Sequence, residues 1–152
     1  MNLDNIDMKI LRTIQEDSRI TIVNLAEKVG LSSTPCARRL QRLEKDGYIK
    51  GYVTALDQTA VGLPVSVFIF IKLERQVQDS LGTFESRIAA LPEVIDCYLM
   101  SGRFDYLLRV VAADLAHFEQ FLKGKLTKLE GIASIESSFA LKQVLHRHVL
   151  PI

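Results

Sequence analysis

The spacing of apolar residues changes once along this chain, near residues 54–64, and the change divides it into two units. Before this segment the apolar positions recur every three or four residues, which is typical of amphipathic helices. After it, short strand-like runs alternate with helical stretches, and the segment itself, TALDQTAVGLP, has no periodicity. We therefore predict an α+β chain with one domain at 1–53, a linker at 54–64 and a second domain at 65–152.

Three helices are predicted in the first domain. The first starts after Asp4, which has an acid three positions later and so has the form of a capping box. A short second helix at 22–29 ends at Gly30, and a third starts at Ser32 or Ser33 and ends by residue 47. The last two helices are therefore joined by a tight turn that contains glycine, which indicates a helix-turn-helix. Residues 48–53 resemble a strand or hairpin, which favours the winged variety.

A βαββαβ order is predicted in the second domain. The predicted strands are 65–73, 94–100, 104–112 and 132–145. The predicted helices start at Asp79 or Ser80 and at Asp114, and the second of them continues to Leu129 before Gly131. This order is that of the ferredoxin-like arrangement, in which both helices pack on one face of the sheet.

The first strand of this sheet carries apolar residues on both of its faces, in the run VFIFI at 67–71. A face left to water should instead alternate apolar and polar residues. At about 25 cal/mol per Å² of apolar surface, a wet face would forfeit several kcal/mol. We therefore predict a homodimer through this sheet, with cover by the first domain as the alternative.

Three arginines and no acidic residue lie within 36–43, in the predicted third helix. A solvated helix face normally mixes charges at i, i+4, whereas Arg38 and Arg42 repeat the same sign. On a helical wheel the outward side contains Thr34, Arg38, Arg42 and Lys45, with Arg39 at the flank. The second helix of a helix-turn-helix enters the major groove, where arginines can contact phosphates or guanine edges. Double-stranded DNA is the predicted partner, and the predicted contact residues are Ser33, Thr34, Arg38, Arg39, Arg42 and Lys45.

Several other classes of protein are disfavoured. Cys36 and Cys97 give neither a disulfide framework nor a CxxC spacing. The N-terminus carries acids where a secretory signal needs bases, and no apolar run could span a bilayer, so we expect a cytoplasmic protein without a membrane partner. His146 and His148 share one side of a strand, but two ligands are too few for a closed metal site.

Four stretches resemble one family. They are LDNIDMKIL at 3–11, LAEKVGLSSTPCARRLQRLEKDGYIKGYVTALD at 25–57, SGRFDYLLRV at 101–110 and EGIASIESSFALKQV at 130–144, followed by a terminal LPI. Together they resemble the Lrp/AsnC family of bacterial and archaeal transcriptional regulators, over essentially the whole chain. The resemblance implies a winged helix-turn-helix followed by a ligand-sensing domain called RAM.

The resemblance also implies partners. Family members form dimers that often assemble into octamers, as tetramers of dimers, associate with the nucleoid, and bind small effectors that are commonly amino acids; no cofactor is implied. The effector is expected at 100–106 and 134–138, where Asp105 could pair with an α-amino group and the 101–103 turn could take a carboxylate. The implied effector-binding residues are Met100, Gly102, Arg103, Asp105, Tyr106, Ser134, Glu136 and Ser137.

Two other functions fit the same fold. One is a haem-pathway decarboxylase that has lost DNA binding, and the other is an architectural DNA-binding protein without an effector. The arginines of the third helix and the lack of a recognisable catalytic constellation argue against an enzyme. The predicted function is therefore a sequence-specific, effector-responsive transcriptional regulator.

Overall fold

The computed structural model describes residues 3–74 and 81–152, which divide into two compact units. One unit comprises Met1–Ala55 together with Val144–Ile152, and the other comprises Leu56–Gln143. The sequence placed 144–152 in the second domain, whereas the structure places this tail with the helical unit. Within the described residues, no helix has the length and apolar character needed to cross a membrane.

The helical unit contains three helices, namely α1 (Asn5–Glu16), α2 (Ile22–Val29) and α3 (Ser33–Lys45). Asp4 forms the predicted capping box, and the Thr21 side chain accepts a hydrogen bond from Asn24 N. Gly30 ends α2 at φ 76°, a conformation that favours glycine. Apolar side chains from all three helices form one core, which includes Ile10, Ile14, Leu25, Val29, Cys36 and Leu43.

The second unit is a four-stranded antiparallel sheet with helices. Its elements are β1 (Val65–Leu73), α4 (Leu81–Ala89), β2 (Val94–Leu99), β3 (Tyr106–Ala112), α5 (Leu115–Gly124), a 3-10 turn (Leu126–Lys128) and β4 (Ile132–Phe139). The strand order β2-β3-β1-β4 is that of the ferredoxin-like arrangement. The predicted α+β fold class is confirmed.

One face of the sheet is covered by the helices. Val67, Ile69 and Ile71 of β1 are fully buried and pack in a core with Phe118 and Phe121 of α5. The other face, which we call the open face, carries Phe68, 36% exposed, and half-buried residues of β1 and β3. An ion pair between Arg109 and Asp96, 3.5 Å apart, also lies on the open face, so this face is mixed rather than purely apolar.

Residues 48–53 do not form the predicted strand or hairpin. The backbone N–H groups of Tyr48 and Ile49 both donate to Leu43 O, so the chain leaves α3 in a turn. A strand needs a partner for its ladder of hydrogen bonds, and none of the four described strands pairs with this segment. The strand prediction was therefore wrong for this segment.

Two element ends also differ from the prediction. Helix α5 ends at Gly124 because Lys125 leaves the helical region at φ −124°, although Leu126 beyond it stays buried. Strand β4 ends at Phe139, opposite Val67, rather than at 145. Ala140 N still donates to Ser66 O at 2.9 Å, but β1 begins at Val65, so it has too few residues left to pair with a strand that continues to 145. The predicted caps of α4, Asp79 and Ser80, lie outside the described residues.

Candidate nucleic-acid interface and effector region

The exposed side of α3 carries cationic and hydroxyl side chains. Thr34, Arg38 and Lys45 are exposed, and Ser33 is half-buried at the start of the helix. Within residues 3–74 and 81–152, neither Arg38 nor Lys45 has an ion pair. The side chain of the N-cap residue Ser32 makes no capping hydrogen bond, so it does not occupy the N–H groups at this helix end. These groups are available to an anion.

The other two arginines of α3 contact acids of α1. Arg39 Nη1 lies 2.6 Å from Asp4 Oδ2 and 2.8 Å from Asp7 Oδ1. Arg42 Nη2 lies 2.5 Å from Asp7 Oδ2, although 42% of the Arg42 side chain is exposed. The helical wheel placed Arg42 with Arg38 on one basic stripe, whereas the structure pairs Arg42 with a buried carboxylate.

The electrostatics of this cluster follow from its hydrogen bonds. The backbone N–H of Asp7 and the guanidinium of Arg39 lower the pKa of Asp4 from 3.8 to about 2. The same contacts with Asp4, and then those with Asp7, raise the pKa of Arg39. Both groups are therefore charged throughout the physiological pH range.

Asp7 is the residue of this region that the sequence reasoning missed as a partner of the arginines. The capping box accounted for its hydrogen bond to Asp4 N, which is 3.2 Å long. Asp7 also lies three and seven residues before the buried Ile10 and Ile14, on the apolar stripe of α1. A carboxylate on a buried stripe needs a cationic partner, so this spacing was a usable signal.

The predicted effector region lies in the second unit. Asp105 does not have a free carboxylate there, because Oδ2 accepts from Leu73 N at 2.8 Å and Oδ1 lies 3.0 Å from Lys72 Nζ. These two contacts lower the pKa of Asp105. The expected pairing of Asp105 with an α-amino group is thus not supported by the geometry: its oxygens are already engaged within the sheet.

Tyr106 is also engaged elsewhere. Its side chain is buried against Phe84 of α4, and its hydroxyl donates to Glu85 Oε1 at 2.8 Å. Burial, followed by the Glu85 contact, raises the pKa of Tyr106. Tyr106 therefore belongs to the face of the sheet that the helices cover.

The structure brings two predicted effector residues together, Arg103 and Glu136. Their charged groups lie 3.9 Å apart, and their side chains are 82% and 56% exposed. Met100, Ser134 and Ser137 are exposed, and Gly102 has φ 120°, which favours glycine. Ser134 and Glu136 lie on the open face, opposite Lys72 and Phe70, whereas Ser137 lies opposite the buried Ile69.

A separate cleft of about 420 Å³ lies between α4 and β2. Glu85, Asp96, Cys97 and Tyr106 line it together with apolar residues. Burial, and then the charge of Glu85, raises the pKa of the Cys97 thiol, which disfavours the reactive thiolate. In the described part of the chain no group of three or more His, Cys, Asp or Glu side chains could hold a metal ion.

Family models match both units. A model of winged helix-turn-helix DNA-binding domains matches residues 3–50, and a model of the Lrp/AsnC ligand binding domain matches residues 66–150. The first match contains α1, α2 and α3, and the second contains all four strands of the sheet apart from Val65, the first residue of β1.

Similar proteins match nearly the whole chain. The Bkd operon transcriptional regulator of Pseudomonas aeruginosa is 47% identical over 99% of this chain and 98% of its own length. An AsnC family transcriptional regulator from Agrobacterium tumefaciens is 43% identical, with a TM-score of 0.91 over 97% of this chain and 96% of that one. A Neisseria meningitidis transcriptional regulator, solved as an L-Met complex, is 36% identical with a TM-score of 0.93 over 99% and 97% of the two chains.

Proposed function

The chain belongs to the Lrp/AsnC family of transcriptional regulators, and we propose that it binds specific duplex DNA through α3 and changes this binding when an amino acid binds its second unit. The observation that carries the proposal is the exposure of two cations on α3, Arg38 and Lys45, which form no ion pair with any described residue and lie in the second helix of a helix-turn-helix. The protein would then act on chromosomal DNA in the cytoplasm.

The DNA contacts are proposed to be divided along α3. Ser33 and Thr34, at the N-terminal end, are suited to a phosphate, because backbone N–H groups and the helix dipole favour an anion there. Arg38 is suited to a guanine edge or a phosphate, and Lys45, two turns further on, to a phosphate. Arg39 and Arg42 would contribute less, since Arg39 contacts the carboxylates of Asp4 and Asp7 and Arg42 contacts that of Asp7.

The variant Arg38→Ala tests the DNA-binding proposal. We expect weaker binding to a specific duplex and a salt dependence whose slope, log K against log salt, is smaller by about one if Arg38 contacts a phosphate. If Arg38 contacts a base, the loss is about 1–3 kcal/mol and discrimination at one position falls. Arg87→Ala, which removes an exposed arginine of α4, is the matched control. Wild-type binding by Arg38→Ala would refute the assignment.

The effector is proposed to bind near the Arg103–Glu136 pair. An amino acid carries one ammonium and one carboxylate, and these two exposed side chains, 3.9 Å apart, present the complementary charges. Gly102 and the turn at 101–103 would let a ligand approach the backbone closely. The Neisseria meningitidis relative, solved with L-Met, supports an amino-acid effector for this chain.

A thermal-shift screen of the twenty amino acids identifies the effector. A ligand at a hundred times its dissociation constant should stabilise the protein by about 2.7 kcal/mol. The absence of a shift with every amino acid would refute the proposed effector class.

The assembly is proposed to be a homodimer through the open face, with octamers formed as tetramers of dimers. Phe68 and its half-buried neighbours on β1 and β3 supply apolar area for a partner. The open face also carries the Arg109–Asp96 ion pair, which could set the register of two copies.

A further inference from the structure

Asp7 is the one buried charged side chain among the described residues, and it lies against α3. It is 1% exposed. Its Oδ1 lies 2.8 Å from Arg39 Nη1, and its Oδ2 lies 2.5 Å from Arg42 Nη2. A second carboxylate, that of Asp4, lies 2.6 Å from Arg39 Nη1. Two cations of α3 are thus neutralised by two anions of α1.

The two carboxylates are themselves fixed in position. Asp4 Oδ1 accepts from the N–H groups of Ile6 and Asp7, at 2.9 and 2.8 Å, while Asp4 N donates to Asp7 Oδ2. The capping box therefore determines where the acids lie, and the acids determine where the guanidinium groups lie. A long arginine side chain held in this way keeps little of the freedom that it needs to follow an arbitrary phosphate.

The charge balance has a consequence for DNA binding. A protein's affinity for any duplex rises with each phosphate that it neutralises, and this contribution is independent of sequence. Free Arg39 and Arg42 side chains would add two such contacts to every duplex, specific or scrambled. Base readout by Arg38 would then be a smaller fraction of the binding free energy.

We propose that Asp7 is a positioning residue for specificity: it withholds Arg39 and Arg42 from sequence-independent phosphate contacts, so that discrimination by α3 rests on Arg38. The inference depends on the proposed function, since it takes α3 to be the helix that contacts DNA. Asp7 itself acts through the two arginines and touches no DNA.

The variant Asp7→Asn tests the inference, with affinity measured over a salt series for a specific and a scrambled duplex, well below the melting temperature of the variant. The variant releases Arg42 and removes one of the two partners of Arg39, so the salt slope on scrambled DNA should steepen by about one. The ratio of specific to scrambled affinity should fall several-fold. A loss of packing alone would lower the melting temperature without steepening the slope.

Two further variants make the test specific. Adding Arg42→Gln to Asp7→Asn removes one released charge and should return the slope towards the wild-type value by about one. Asp4→Asn keeps an N-cap residue but removes one of the two partners of Arg39, so a smaller increase in slope is expected. If Asp7→Asn does not fold, the salt slope of Asp4→Asn tests the inference: an increase supports it, and a wild-type slope overturns it.

The outcomes separate the inference from the proposed function. If the wild-type protein discriminates between the duplexes but the variants keep its salt slope and its affinity ratio, the role of Asp7 is overturned and the proposed function stands. Wild-type protein without any preference would overturn the proposed function itself.

Discussion

At the scale of single residues, the charge on Asp4 connects the stability of the helical unit at low pH with the contact between Asp4 and Arg39 of α3. Its carboxylate accepts two backbone N–H groups of α1 and contacts Arg39, and all of these interactions favour the charged form. Protonation of Asp4 would therefore weaken both the start of α1 and one of its connections to α3.

We predict that this contribution to stability is lost in acid. The pKa of Asp4 falls from 3.8 to about 2 on folding, so the unfolded chain binds more protons between these values. The contribution is complete above about pH 4 and disappears as the pH falls through about 2. Unfolding midpoints measured by circular dichroism from pH 2 to 5 should show this slope, and Asp4→Asn should reduce it. An equal slope in both proteins would contradict the prediction.

We predict that Glu136→Gln weakens the binding of the effector. Loss of the carboxylate removes the charge proposed to bind the ammonium group, so the amino acid that stabilises the wild-type protein should bind about tenfold more weakly or worse. The stability without ligand should change little, because the Arg103–Glu136 pair is exposed. Glu130→Gln, also exposed, is the control for isothermal titration. Equal affinity in the two variants would exclude Glu136 from the site.

Sequence patterns predicted the directions of side chains on α3 better than their partners. The wheel placed Arg38 outward, and Arg38 is exposed. It could not show that Arg42 meets Asp7, because a wheel describes one helix and the acid belongs to another. For the same reason, Asp105 looked free in the sequence but contacts Lys72 across the sheet.

At the scale of elements, the C-terminal tail packs on α1. The side-chain amide of Gln15 accepts from Leu150 N at 2.7 Å and donates to Leu150 O at 3.4 Å. Arg12 Nε donates to Ile152 O at 2.5 Å. The tail is thereby tied to the helical unit by contacts between α1 side chains and its main chain.

We predict that Gln15→Ala lowers the free energy of unfolding of the helical unit by about 0.5–1.5 kcal/mol, since two modest hydrogen bonds are lost. Urea unfolding followed by helical circular dichroism measures this change. Glu16→Ala is the control, because Glu16 is the exposed last residue of α1. It should change the free energy of unfolding by less than about 0.5 kcal/mol. Equal unfolding free energies in the two variants would show that the hydrogen bonds between Gln15 and Leu150 contribute nothing to stability.

Elements whose signals are local were predicted well. Asp4 marks the start of α1, and Thr21 and Gly30 mark the start and end of α2. These positions could be predicted because caps act within one turn of helix. Strand limits depend on partners far along the chain, so residues 48–53 and the end of β4 could not be placed from the sequence alone.

At the scale of the whole molecule, the apolar area on the open face of the sheet favours a dimer over an isolated monomer. The alternation of β1 leaves Phe68 partly exposed beside half-buried Leu107 and Phe70, an apolar area that a partner could cover. The sequence indicated this area through the run VFIFI, although not the polar pair that accompanies it.

We predict that Phe68→Asp converts the proposed dimer to monomer, since an unpaired carboxylate would be buried at the interface. Sedimentation velocity over a range of concentrations measures the change. Val23→Asp, which places the same charge at an exposed position of α2, should leave the dimer intact. A dimer in Phe68→Asp would assign the interface to another surface.

The most direct test of the central claim is the ratio of affinities of the wild-type protein for a duplex selected from a random pool and for its scrambled counterpart, at near-physiological salt. A sequence-specific regulator should bind the selected duplex about a thousandfold more tightly, or better. Equal affinities would contradict the account and indicate an architectural DNA-binding protein.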